Sequence, residues 1–143
     1  MRFKVSEKKT IWLNIEKSRI KWDETVSRGK NGQFGKFQKQ VKDFLRPYWT
    51  THVCYEEVKV PRSRMSLDFL NLTKRVAIEV SGKQHFEFVD GFFHKNRCDL
   101  WNQMKRDRLK EKFCELNDIK LIVIRQEDMP INEEFFEKRG LIL

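Results

Sequence analysis

A chain of 143 residues with a formal net charge of +9 is long enough to bury the core of one ordinary domain. Hydrophobic residues make up 39% of it and aromatic residues 13%, which excludes a chain disordered throughout, and the positive charge favours a polyanionic partner. No apolar run is long enough to span a bilayer and no signal-peptide pattern is present, so we expect a soluble, intracellular protein of the cytoplasm or nucleoid.

Residues 1–33 form a basic N-terminal extension in which Lys and Arg alternate with apolar residues. Two glycines within residues 27–32 predict a flexible link to the rest of the chain. Two interpretations stay open. The extension is a DNA-contacting arm that uses residues such as Arg28 and Lys30, or it is an extra strand or dimerisation contact with a solvated charged face.

From Phe34 to Leu45 the apolar residues recur at helical spacing, and Pro47 is expected to stop this helix. Gln38 lies on the apolar stripe of the helix. It is either an amide bonded to a neighbouring group or a residue that lines a site.

Two strands follow, at residues 52–60 and 65–70, with a basic turn between them that contains Arg62 and Arg64. A third strand is predicted at residues 75–81, and the turn before it makes the second and third strands a hairpin.

The hairpin carries the most informative acidic residues. Side chains alternate faces along a strand, so the apolar residues Val76 and Ile78 can face the core while Glu79 lies on the other face. There the hairpin can bring Glu79 beside Asp68. Adjacent carboxylates repel unless a divalent cation lies between them, although solvent-facing acids are common on half-buried strands.

The remaining chain predicts a loop near the site at residues 86–95, a helix at residues 98–116 and a buried strand at residues 121–124. A last helix should cover residues 132–138. The inward residues of the long helix are expected to be Trp101, Met104, Leu109, Phe113 and Leu116. Three cysteines without a CxxC pair argue against a zinc site or a disulfide framework. The element order predicts an α/β fold in which a hairpin-rich mixed β-sheet is flanked by helices.

The order and spacing of four segments resemble the PD-(D/E)XK, or restriction-endonuclease-like, nucleases. Within that superfamily the chain is most similar to the branch of very-short-patch-repair-like, phage and homing endonucleases. The resemblance covers residues 34–127. The predicted nuclease domain begins with these residues and continues to residue 143. The segments that carry it are Asp68-Phe69, residues 78–86 (Ile-Glu-Val-Ser-Gly-Lys-Gln-His-Phe), residues 107–110 (Asp-Arg-Leu-Lys) and residues 119–125 (Ile-Lys-Leu-Ile-Val-Ile-Arg).

The resemblance implies a restriction-endonuclease-like core and a Mg²⁺-dependent endodeoxyribonuclease in which Mn²⁺ can substitute. Asp68, Glu79 and the carbonyl of Val80 would hold the metal. Lys110 would face a phosphate of the DNA. The candidate catalytic residues are Asp68, Glu79, Gln84, His85 and Gln38, together with Lys83. Lys83 is the nearest cation because Ser81 occupies the position where these nucleases often carry a lysine, and a solvated turn lysine is its alternative interpretation. The candidate DNA-binding residues are Lys110 and the basic residues of the turn and the extension, Arg62, Arg64, Arg28 and Lys30.

Two positions depart from the pattern of these nucleases. Gln38 replaces a glutamate of the first helix, and Ser81 replaces an aspartate after the catalytic strand. Both changes remove negative charge, so a one-metal site or a weakened enzyme is open. A Holliday-junction-type resolvase and a non-catalytic nucleic-acid-binding module on a degenerate nuclease fold are the alternatives. The expected partner is double-stranded or branched DNA, and a single site per chain predicts a homodimer or higher homo-oligomer.

Overall fold

The computed structural model describes residues 1–24, 33–81 and 93–143, apart from some side chains at the helix starts. In these ranges the chain forms six strands and three α-helices. In chain order they are β1 (Arg2–Ser6), β2 (Lys9–Trp12), α1 (Gln33–Trp49), β3 (Cys54–Lys59), β4 (Ser66–Asn71), β5 (Val76–Ser81), α2 (Phe93–Leu116), β6 (Lys120–Arg125) and α3 (Glu133–Glu137).

The central sheet has four strands in the order β3-β4-β5-β6. Strands β3, β4 and β5 pair antiparallel, whereas β6 pairs parallel with β5 after the crossover through α2. The fold is therefore mixed α/β with a mixed sheet flanked by helices, as the sequence predicts.

Apolar side chains cover both faces of this sheet. On one face α1 and α3 bury residues such as Val41, Leu45 and Phe136 against Ile78. On the other face the C-terminal part of α2 and the strand β1 pack against β3, β4 and the small Ala77. Because both faces are covered, the buried polar residues of the four sheet strands are few, namely Glu56, Asp68 and Asn71.

The sequence pattern predicts that helix α1 stops at Pro47, but in the structure it continues to Trp49. A proline inside a helix removes one backbone hydrogen bond. Trp49, the last residue of α1, is fully buried in the core, and Thr50 N–H still donates to the carbonyl of Arg46 at 3.1 Å. Burial of a whole tryptophan offsets the loss of one hydrogen bond.

Helix α2 also differs from the prediction, because it begins earlier and exposes three of its expected core residues. Trp101, Met104 and Leu109 are 61%, 60% and 53% exposed, whereas Phe113 is buried as predicted. Among the described residues only the C-terminal part of α2 packs on the sheet. The apolar residues nearer the N-terminal end of α2 therefore have no part of the described sheet to pack against.

The N-terminal residues 1–24 are docked on the domain. The ring of Phe3 lies 5.6 Å from that of Phe113, and the side-chain amide of Asn117 bonds both the N–H and the carbonyl of Lys4. Ile20 N–H donates to the carbonyl of Cys54. Within the extension, β1 and β2 form a two-stranded sheet of their own, while the proposed link at residues 27–32, with Arg28 and Lys30, lies outside the described residues.

A buried ion pair fastens the end of this N-terminal segment. Lys42 Nζ lies 3.0 Å from Glu56 Oε2 and donates to the carbonyl of Glu24 at 2.6 Å. Both side chains are almost fully buried, where removal of one partner would leave an uncompensated charge. The pair ties residue 24 to α1 and β3 at once.

The three cysteines are free thiols. Burial raises the pKa of Cys54 and of Cys114 to about 12, so both are protonated at neutral pH. In the described part of the chain, no helix is long and apolar enough to cross a membrane.

Candidate active site

The hairpin of β4 and β5 opens where the two acidic residues lie. Its last backbone pair is Phe69 with Ile78, and one further step of the register places Asp68 opposite Glu79. Side-chain bonds replace the backbone ladder there. Asp68 N–H donates to Glu79 Oε1 at 3.0 Å, and Val80 N–H donates to Asp68 Oδ2 at 2.8 Å. The structure therefore brings Asp68 and Glu79 together, and each carboxylate is held by a backbone donor.

A lysine from α2 completes this cluster. Lys110 Nζ lies 2.6 Å from Glu79 Oε2, and both side chains are about 15% exposed or less. Lys110 shares a helix face with Phe113, Cys114 and Asn117, three, four and seven residues later, all of them buried. The packing of that face delivers the ammonium group to β5.

The charges in the cluster compete. Burial and, second, repulsion by Asp68 raise the pKa of Glu79 to about 7, and the nearby ammonium of Lys110 only partly opposes this rise. A second cation would relieve the repulsion between the two carboxylates.

Gln38 lies one strand away from this pair. Its side chain is buried, and Nε2 donates to Glu57 Oε1 at 2.9 Å. The register of β3 with β4 places Glu57 opposite Asp68. Sequence reasoning misses Glu57, whose φ of 57° is unusual for a glutamate. That kink reverses the alternation of β3, so that Val58 packs on the α2 side although Cys54 packs on the α1 side.

The basic turn between β3 and β4 lies at the end of the sheet toward which the hairpin opens. Arg62 and Arg64 in this turn are exposed. The structure places them at the same end of the sheet as Asp68. Lys83, Gln84 and His85 lie outside the described residues, directly after β5.

The donor set suits a hard cation. Among the described residues no group of three or more His, Cys, Asp or Glu side chains could hold a metal. Mg²⁺ does not need such a group, because it binds through one or two carboxylates and keeps several waters. Asp68 and Glu79 offer oxygen ligands in a partly buried opening, which fits Mg²⁺ or Mn²⁺ better than zinc.

We expect the pH dependence of stability to report on Glu79. Its folded-state pKa of about 7 lies above the ordinary value of 4.5, so the folded state holds a proton that the unfolded state has lost. The contribution of Glu79 to stability is therefore full below pH 4.5 and is lost as the pH rises through 7.

The measurement is denaturant unfolding in EDTA of the wild type and of Glu79→Gln, from pH 4.5 to 8. The wild type should lose about 3 kcal/mol relative to Glu79→Gln over this range. Parallel curves for the two proteins would show that Glu79 titrates normally and that the carboxylates do not interact.

Comparison with known proteins finds relatives but no family profile and no solved structure that matches. The chain is 39% identical over 81 residues to uncharacterized protein 033L of invertebrate iridescent virus 3, a match that covers 57% of this chain and 41% of that protein. It is 29% identical to uncharacterized protein 307L of invertebrate iridescent virus 6, over 68% of this chain and 46% of that protein. It is 38% identical to uncharacterized protein 094L of frog virus 3 (isolate Goorha), over 42% of this chain and 39% of that protein. All three are viral proteins. The chain spans less than half the length of these relatives.

Proposed function

We propose that this chain is a metal-dependent DNA endonuclease that hydrolyses phosphodiester bonds with Mg²⁺ or Mn²⁺. The observation that carries the proposal is the opening of the β4–β5 hairpin, where backbone donors hold Asp68 and Glu79 and the ammonium of Lys110 meets Glu79. A structural role alone does not require two carboxylates that repel each other inside a sheet.

Each residue of the cluster would have its own role in catalysis. Asp68 and Glu79 would hold the cation, with the Val80 carbonyl as a third oxygen. A bound Mg²⁺ supplies an activated water and stabilises the charge that develops on the phosphate. The N–H groups of Asp68 and Val80 keep the two carboxylates in place, so little reorganisation is needed.

Lys110 keeps Glu79 partly ionised in the absence of metal and offers further N–H donors to a phosphate oxygen. Lys83, Gln84 and His85 complete the proposed catalytic set, with His85 as an acid or base. Arg62 and Arg64, exposed at the same end of the sheet, would contact the DNA backbone. We propose that two copies of the chain act together, since one site cuts one strand.

The test is incubation of the full chain with supercoiled plasmid, linear duplex and a four-way junction, in Mg²⁺, Mn²⁺, Co²⁺ and EDTA. We expect nicked or linear plasmid in Mg²⁺ or Mn²⁺ and none in EDTA, with Asp68→Asn as the control for contaminating nucleases. Cleavage of the junction in preference to duplex would assign a resolvase. Binding without cleavage in every metal would overturn the nuclease and leave a non-catalytic binding module.

A further inference from the structure

The outer face of α2 carries an unusual combination of side chains. Trp101, Lys105, Arg108 and Lys112 follow one another at intervals of four, three and four residues, which places them on one side of the helix. All four are exposed. Lys110, which contacts Glu79, is nine residues after Trp101 and therefore lies on the opposite side.

Exposed acids lie near these positive charges, since Glu111 is three residues after Arg108 and Glu115 is three residues after Lys112. In the part of the chain that the structure describes, Arg108 and Lys112 form no ion pair. The ammonium of Lys105 lies 5.7 Å from the centre of the Trp101 ring, a cation–π contact with an aromatic residue that is itself 61% exposed. Neither the charges nor the ring serves the packing of α2.

The exposed aromatic ring and the positive charges of this face together favour one class of partner. A second copy of the chain would bring two sets of three positive charges together, which is unfavourable. An acidic peptide would neutralise the charges but offers a flat ring to Trp101 only where it carries an aromatic residue, whereas every nucleotide carries one. A single-stranded nucleic acid supplies both groups, because its phosphates are regularly spaced and its unpaired bases can stack on an aromatic side chain.

We propose that the outer face of α2 binds single-stranded nucleic acid. The ring of Trp101 stacks on an unpaired base, and Lys105, Arg108 and Lys112 neutralise phosphates along the strand. From residue 101 to residue 112 the helix rises about 16 Å, so several nucleotides follow it. The surface is separate from the hairpin opening and needs no metal, so binding here does not depend on the proposed nuclease activity.

The test is fluorescence anisotropy of a labelled oligothymidine with the full chain in EDTA, at several salt concentrations. Trp101→Ala should weaken binding about tenfold, in line with the loss of one stacked base, and Trp101→Phe should restore most of it. The matched control is Trp12→Ala, since Trp12 is 71% exposed on β2, and we expect no change there.

The charges are tested by a triple variant, Lys105→Gln with Arg108→Gln and Lys112→Gln. It should lower the salt slope of binding by about two, because each phosphate contact on a single strand contributes about 0.7. The control triple removes the same charge from three exposed lysines on different elements, namely Lys8→Gln, Lys36→Gln and Lys59→Gln. It should change the slope far less.

Several results would overturn the proposal. One is an equal loss of affinity in Trp101→Ala and Trp12→Ala. Another is an equal change of slope in the two triple variants, which would reduce binding to net charge. A change of sedimentation coefficient in Trp101→Ala would assign the face to a second copy of the chain. A lower melting temperature of Trp101→Ala would show that the ring is packed within the fold.

Discussion

Asp68→Asn and Glu79→Gln are each expected to lower the rate of DNA cleavage by about 10³-fold or more. Both substitutions keep the shape of the side chain and an oxygen acceptor. The amide introduced at position 68 can still accept from Val80 N–H, and the amide introduced at position 79 can still accept from the backbone N–H of residue 68. The backbone bonds at the hairpin opening should therefore be kept in both variants. Asp68→Asn then removes only a charge that would hold the cation, whereas Glu79→Gln also removes the ion pair with Lys110.

The rates are measured in single turnover at saturating protein, beside the melting temperature of each variant. DNA affinity in EDTA should stay constant or rise, because a negative charge that faces phosphate has been removed. His85→Ala is the graded comparison and should cost about 10²-fold, as a positioned acid or base does. Full cleavage by a folded double variant, Asp68→Asn with Glu79→Gln, would exclude the proposed metal site.

The sheet and the acidic pair are predictable from the sequence because strand periodicity is strict. Alternation along residues 75–81 assigns Val76 and Ile78 to the face that packs on α1, and a one-residue slip would turn them to the other face and bring Glu79 into the α1 core. The short turn before Val76 makes the hairpin, and the hairpin makes Asp68 and Glu79 neighbours. Local pattern alone is sufficient for this part of the site.

The partners of the pair are less accessible to sequence reasoning. Asp107 and Lys110 have the three-residue spacing of an ordinary pair on a helix surface. Only the packing of α2 on the sheet directs Lys110 to Glu79. Glu57 owes its place to a left-handed backbone conformation that no residue pattern indicates in a glutamate. Gln38 is predicted to bond a neighbour or to line the site, and its partner proves to be Glu57.

The errors on the helices have a common cause. Periodicity shows which residues share a face of a helix, but it does not show whether anything covers that face. The apolar character of Trp101 and Met104 predicts a core position, yet both are exposed, and among the described residues only the C-terminal part of α2 packs on the sheet. Similarly, the contact between Phe3 and Phe113 joins segments far apart in sequence, so the docking of the N-terminal segment cannot be deduced locally.

The ion pair between Lys110 and Glu79 gives the second large effect. Lys110→Met is expected to lower the free energy of unfolding by about 3 kcal/mol at pH 8.5, because it leaves a buried carboxylate beside Asp68 without a cation. Without the ammonium the pKa of Glu79 rises further above 7. At pH 5.5 Glu79 is protonated in the folded protein, so the cost should be much smaller there.

A double-mutant cycle in EDTA separates this charge effect from packing. At pH 8.5 the double variant, Glu79→Gln with Lys110→Met, should cost less than the sum of the single variants by about 1–3 kcal/mol. Lys112→Met, on the exposed side of α2, is the control and should cost less than about 0.5 kcal/mol. Mg²⁺ should stabilise Lys110→Met more than it stabilises the wild type, because the ion then provides the only positive charge beside Glu79 within the described cluster. Additive costs that do not vary with pH or Mg²⁺ would reduce Lys110 to a packing residue and remove it from the proposed site.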